Sequence, residues 1–381
     1  MKKMLRVLCK TIFVLVVSIN LFILVSGKYY LYKTLAYNFV DIDDNTIFHQ
    51  RKIPAGKGVE WPFSNDYNKK PMPEKLRTEL EKYKSVAFVV IRNDSLLYEN
   101  YWENYSDTSL SNSFSMAKSI VGILIGIAID EGKIKSLDQK AGDYIPEYKT
   151  GSRAQLTLRN LITMSAALNW DEAYANPLSV TTEAYYGTDL YKLVSNLEVN
   201  GEPGKNFNYQ SCCPQLLSII LEKATGTTLS NYASEKLWKP LQSVRTAEWS
   251  LDKKDGIEKA YCCFYSNARD FARIGSLYLH DGNWKGTQIV DSNWVKESIT
   301  PAPTMDQDKP NTSYGYQWWM GDFSGKHIFY CRGILGQYIV AIPDEHIVFV
   351  RLGHKRGEKK ADGTLTDMPV YVQGVLDWLH K

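Results

Sequence analysis

The chain has 381 residues, 44% of them hydrophobic and 13% aromatic, and a formal net charge of +3. That is ordinary globular composition, enough for one large domain or two smaller ones. Charge this close to balance, with no basic stripe, argues against a nucleic-acid partner. Six scattered histidines and six cysteines without zinc-site spacing argue against a metal centre.

At the N-terminus, Lys2, Lys3, Arg6 and Lys10 precede the apolar run 11–27. A positive flank before an apolar stretch close to the ~17 residues a spanning helix needs reads as a signal peptide or an uncleaved signal anchor. Both remain open, because Val25-Ser-Gly27 suits a small-residue cleavage site. Either way the positive flank stays inside and the rest is exported to the periplasmic or extracellular face, tethered to the membrane if the segment is retained. Residues 28–80, interrupted by Pro54, Pro62, Pro71 and Pro73, read as a stalk or wrap before the domain proper over 81–381.

Residues 85–91 and 96–102 read as two strands of a hairpin around Arg92-Asn-Asp-Ser95. The stretch 111–132 follows, and the rest of the chain is organised around it. Ser111, Asn112 and Ser113 are all N-cap residues, and the run beyond Ser119 is apolar on every side up to Gly132. This predicts a buried central helix of about five turns. Ser115 falls in its first turn, and Lys118, three residues on, shares its face. A cation near a helix N-terminus opposes the macrodipole, and burial disfavours its charged form. Such a lysine can hold a serine proton and make a nucleophile of the hydroxyl. A second Ser-x-x-Lys, Ser250 to Lys253, lies in a polar run that reads as a surface turn.

Helices are expected at 156–165, 214–224, 229–237 and 267–280, then strands at 317–320, 327–331, 337–342 and 346–352, and a final amphipathic helix at 368–380. Strands at both ends with helices between them imply an α+β fold. An antiparallel sheet is built from the N- and C-terminal strands and flanked by helices, with an inserted helical subdomain. Two segments add chemistry. Gly201-Glu-Pro-Gly204 leads to Tyr209 and Ser211 just before a helix, and Cys331-Arg-Gly-Ile-Leu-Gly-Gln337 sets glycines between two strands, where backbone can approach a ligand.

Ser-x-x-Lys opening a buried helix, Tyr-x-Ser after Pro-Gly, and a glycine-bearing C-terminal strand, in this order, resemble the serine β-lactamase and penicillin-binding superfamily. The class C-like branch with its esterases, D-aminopeptidases and 6-aminohexanoate-dimer hydrolases is the nearest in pattern. Gly333-Ile-Leu-Gly-Gln337 is similar to the dimer-hydrolase version. The resemblance implies Ser115 as nucleophile, Lys118 as its activator, Tyr209 as proton relay, and the backbone N–H groups of Ser115 and Ile334 as oxyanion hole. Ser211, Gly333 and Trp170 would contact substrate, and no cofactor is implied.

The chain departs from the pattern where the family carries Lys-Thr-Gly: Cys331-Arg-Gly333 stands there, and Lys149-Thr-Gly151 is in the wrong chain order. Trp170, Trp318, Trp319, Tyr185 and Tyr186 are expected to border the cleft. One disulfide is expected between the pairs Cys212-Cys213 and Cys262-Cys263, since the family packs the second near the same cleft. The expected activity is hydrolysis of a small-molecule amide or ester. Alternatives are acyl transfer to a hydroxyl or amine acceptor, D,D-peptidase activity, or a β-lactam-binding sensor. A sensor would need a cytoplasmic output domain, and ten residues stand before Thr11.

Overall fold

A computed structural model describes residues 1–360 and 363–380. The chain begins with α1 (Lys2–Ser26) and α2 (Tyr30–Tyr37), then β1 (Gln50–Ile53) and α3 (Glu74–Lys82). The hairpin follows as β2 (Ser85–Arg92) and β3 (Ser95–Tyr101). Its two-residue turn, Asn93-Asp94, takes φ of +48° and +57°, as the right-handed twist of the strands demands of a tight hairpin. Asn and Asp tolerate that conformation better than most residues.

The short β4 (Ser111–Asn112) and the central helix α4 (Ala117–Asp130) come next, then α5 (Leu158–Ile162), α6 (Val180–Tyr186), α7 (Leu190–Ser195), α8 (Cys212–Thr225) and α9 (Leu229–Ala233). The return begins with β5 (Ala247–Ser250), β6 (Phe264–Ser266), α10 (Ala268–Leu279) and α11 (Ser292–Ser298). It ends with β7 (Trp319–Phe323), β8 (Lys326–Gly333), β9 (Gln337–Ile342), β10 (Ile347–Gly353) and α12 (Met368–Leu379).

The two ends of the chain build one six-stranded antiparallel sheet, ordered β7-β8-β9-β10-β2-β3. β2 joins the C-terminal strands through β10, which is how an N-terminal hairpin closes a sheet made at the other end. One face carries Ile339 and Val348, against which Gly275 of α10 packs closely. The other carries Tyr338, which meets Asp367 and Tyr371 of the α12 region. Both faces are therefore covered, and β2, β9 and β10 are apolar almost throughout. A smaller sheet, β1-β5-β6-β4, stands beside it. Residues 28–80 contribute β1 to that smaller sheet and α3 to the layer shared with α12.

α4 is buried over its first twelve residues and packs on α8. Each fully buried Ile or Leu there contributes roughly 1.5–3 kcal/mol. Gly126 lets the Trp294 indole approach; a Cβ would sit 2.3 Å from its Nε1.

The start of this helix differs from the sequence expectation. Ser111–Asn112 form a strand and none of the three polar residues caps the helix; a 3₁₀ turn, Phe114–Met116, leads into α4. Strand partners from distant segments take up the backbone groups instead. Asn112 N–H donates to Ile42 carbonyl at 3.0 Å, and Ser113 N–H to Phe264 carbonyl at 2.8 Å. The first C-terminal strand also starts later than expected, after Gln317 at φ +63°. Ser250 is buried in β5 and bonded to Gln50, not set in a surface turn.

Candidate active site

The run 111–128 is buried except at Ser115, which is half exposed. The turn Phe114–Met116 is pinned by Asn112, whose Oδ1 accepts from Phe114 N–H at 2.8 Å, and Phe114 itself is held at φ +42°. Lys118, 1% exposed, places Nζ 2.8 Å from Ser115 Oγ and donates to the Tyr261 carbonyl at 2.8 Å. Among the described residues, no carboxylate lies within ion-pair distance of it. The amine is thus clamped between the one accessible hydroxyl of this run and a carbonyl.

Tyr209 reaches the same point from the helical side. Its segment is tied by Asn208 N–H to Met164 carbonyl and by the Gln210 amide to Leu168 carbonyl, at 2.7 and 2.6 Å. Its ring centre lies 5.1 Å from Lys118 Nζ and packs on Trp319 at 5.5 Å and Tyr314 at 6.0 Å. Burial holds the Tyr314 phenol well above its usual range.

The end of β8 closes the third side. A Cβ on Gly333 would lie 2.4 Å from Ser113 carbonyl oxygen and 3.1 Å from Phe114 Cβ, so this strand end is seated directly on the serine turn. Two buried side chains hold the following turn: Gln337, which closes the motif already noted, and Arg351, which the sequence did not single out. Gln337 donates to the Ile334 and Gly353 carbonyls at 3.1 and 2.7 Å. Arg351, fully buried, donates to the carbonyls of Leu335, Gly336 and Lys355 at 2.7–2.9 Å and also to that of Tyr83. Leu335 is held at φ +61° by this network.

Ser211 and Trp170 converge on a residue the sequence did not single out, Glu172. The Trp170 indole N–H donates to Glu172 Oε1 at 3.0 Å and the Ser211 hydroxyl to Oε2 at 3.2 Å; the Ser211 backbone N–H also donates to Oε1. A carboxylate at the N-terminus of α8 complements its macrodipole. It lies close enough to raise the Tyr174 and Tyr261 phenols, chiefly shifted by burial. No spacing could reveal it, since its partner Ser211 is 39 residues away.

Other expected neighbours lie elsewhere. Trp318 is in the core, its ring stacked 4.2 Å from Tyr278. Tyr185 and Tyr186 pack on Phe48, the former donating to Asp44 at 2.6 Å. The cysteine pairs do not cross-link: Cys262 is bonded to Cys263, while Cys212, Cys213 and Cys331 are free and buried. Cys212 and Cys213 stand at the start of α8 and help raise the Tyr148 phenol after the larger effect of burial. Cys331 is pushed up to about 12 by burial.

Against known proteins, residues 74–367 match the family model described as Beta-lactamase. The chain belongs to the beta-lactamase family. Within it, a 6-aminohexanoate-dimer hydrolase of Paenarthrobacter ureafaciens is 28% identical over 301 residues, 73% of this chain and 74% of that one. A Bacillus anthracis structure named for the same activity superposes with a TM-score of 0.77 at 22% identity, covering 89% of this chain and 92% of its own. A family VIII carboxylesterase matches with a TM-score of 0.62 at 14% identity over 83% of this chain and 98% of its own. This beta-lactamase-family chain has the mixed α+β architecture of those structures, and it is a hydrolase of that family.

Proposed function

We propose that this protein is an exported serine hydrolase that cleaves a neutral amide or ester through an acyl-enzyme on Ser115. The observation that carries the reading is the 2.8 Å contact between buried Lys118 Nζ and half-exposed Ser115 Oγ, with the Tyr209 ring alongside. Ser115 Oγ attacks the substrate carbonyl carbon as its proton passes to the Lys118 amine. The developing oxyanion is held by the N–H groups of Ser115 and Ile334, donors fixed by the strand end at Gly333. Collapse breaks the C–N or C–O bond, and the leaving amine or alcohol takes its proton through Tyr209. Water, giving its proton back along the same route, then hydrolyses the ester on Ser115.

The relatives named as dimer hydrolase, carboxylesterase and amidohydrolase support the amide and ester scope. The 25-residue apolar α1 supports export, with the body on the outer side. A fluorophosphonate probe should label Ser115 alone, and Ser115→Ala should abolish aryl-ester turnover. Adding an alcohol or amine acceptor to the same assay reads acyl transfer against hydrolysis. Labelling at Ser250, or undiminished turnover by Ser115→Ala, overturns the assignment.

A further inference from the structure

α1 is exposed along most of its length and joins the body without slack. Gly27 takes φ +68°, and α2 begins three residues later. Ile23 is buried, and the Tyr32 hydroxyl donates to Asn20 Oδ1 at 3.1 Å, so the end of α1 is fastened to α2. α2 in turn rests on α6, with Tyr30 and Leu31 inward and Lys28 paired with Glu183 at 3.6 Å. A spanning helix fixed in this way holds α2, about 12 Å long, at the bilayer surface.

The most exposed side chains of this stretch are apolar or aromatic, apart from Asn38. Tyr29, Leu35 and Tyr37 are exposed and Phe39 is 81% exposed, the tyrosine-rich composition of a membrane–water boundary. Two routes connect the stretch to the cleft. Ile42 carbonyl accepts from Asn112 N–H, three residues before Ser115. α6, on which α2 rests, directly follows the loop that carries Glu172, and on that loop Leu178 is exposed although apolar. A soluble chain would be expected to cover or replace such a row of side chains.

We infer that the cleft opens at the lipid surface in which α1 is embedded, and that its substrate is a lipid-borne ester or amide whose apolar tail remains in the bilayer. This rests on the hydrolase reading above for its chemistry, and on α1 for its geometry.

The test uses the full chain in phosphatidylcholine vesicles, in a Cys9→Ser background. Nitroxide labels at Leu35→Cys, Phe39→Cys and Leu178→Cys should collide with oxygen and be shielded from a water-soluble nickel chelate. A label at Asp344→Cys, at the opposite end of the sheet strands, should show the reverse. Phe39→Glu and Leu178→Glu should each lower turnover of a long-chain nitrophenyl ester dissolved in the vesicles at least fivefold and leave nitrophenyl acetate turnover unchanged. Free access of the chelate to labels 35, 39 and 178, or equal effects on both esters, overturns the inference. Loss of all ester turnover in the unmodified chain would strike the hydrolase reading instead, and label depth would still decide this one.

Discussion

Gly333→Ala tests the geometry of the site with a single methyl group. The added carbon would stand 2.4 Å from Ser113 carbonyl oxygen, backbone that cannot swing aside. An ordinary contact of this kind needs roughly 3.3 Å, so strand end and serine turn must part by about 0.9 Å. The same carbonyl accepts from Met116 N–H at 3.2 Å, so the displacement reaches the turn that carries Ser115 as well as the N–H of Ile334. Misplacement of about 1 Å costs on the order of a hundredfold in rate, about 2.7 kcal/mol of transition-state stabilisation. Overpacking costs about 1–3 kcal/mol of stability, so the melting temperature should fall and the protein still fold. Steady-state kinetics on an aryl ester at 25 °C should show a kcat loss near that size with KM little changed. A folded Gly333→Ala protein with kcat/KM within threefold of the parent would refute the placement of the oxyanion hole.

Lys118→Ala and Tyr209→Phe should each remove about 3 kcal/mol or more of transition-state stabilisation, with the double variant little worse; strictly additive losses in kcat/KM would show separate roles. Glu172→Ala leaves the Ser211 and Trp170 N–H groups without their acceptor, so unfolding by urea should show a loss of about 1–3 kcal/mol, and Glu172→Gln should restore part of it. Glu222 is raised to about 7 by burial and by neighbouring Glu258, which is itself paired with Arg51 at 2.8 Å. Its folded form therefore binds the proton more tightly than the unfolded one, so its contribution is full below the unfolded value and is lost as pH rises toward 7. The stability difference between Glu222→Gln and the parent should grow in favour of the variant from pH 5 to pH 8, and a flat difference would count against the shift.

Much of this was readable without coordinates because its causes are local. The apolar run after Ser119, bounded by polar residues and Gly132, reads as a helix buried all round, and Asn93-Asp94 between two β-rich runs reads as a hairpin turn. Ser115 and Lys118 share a face by helical spacing alone. What escaped depends on distant partners. Ser111–Asn112 read as a cap because the carbonyls of Ile42 and Phe264 that claim their neighbourhood come from elsewhere in the chain. Glu172 is one acid among many until α8 is brought over it. Arg351 carries no signature, since its task is to hold carbonyls of a turn. Adjacent tryptophans alternate across the start of β7, which sends Trp318 into the core and Trp319 toward Tyr209.

The same alternation decides which substrates suit the site. The superfamily this chain resembles grips a substrate carboxylate with a strand lysine, and Cys331 stands at that position. Its thiol points inward beside Ser119, buried and without charge. Arg332, the next residue, projects from the opposite face of β8 and lies flat on Trp319, its guanidinium carbon 3.5 Å from the ring centre. It also donates to Gly363 carbonyl at 3.3 Å. To meet an anion in the cleft it would have to leave the ring, giving up about 0.5–2 kcal/mol. The missing charge-assisted bond costs a further 1.5–3 kcal/mol or so, about one to two decades in rate. Neutral esters should therefore outrun β-lactams. Measured side by side, a cephalosporin hydrolysed with higher kcat/KM than a simple aryl ester would show that Arg332, or another cation, does reach the bound carboxylate.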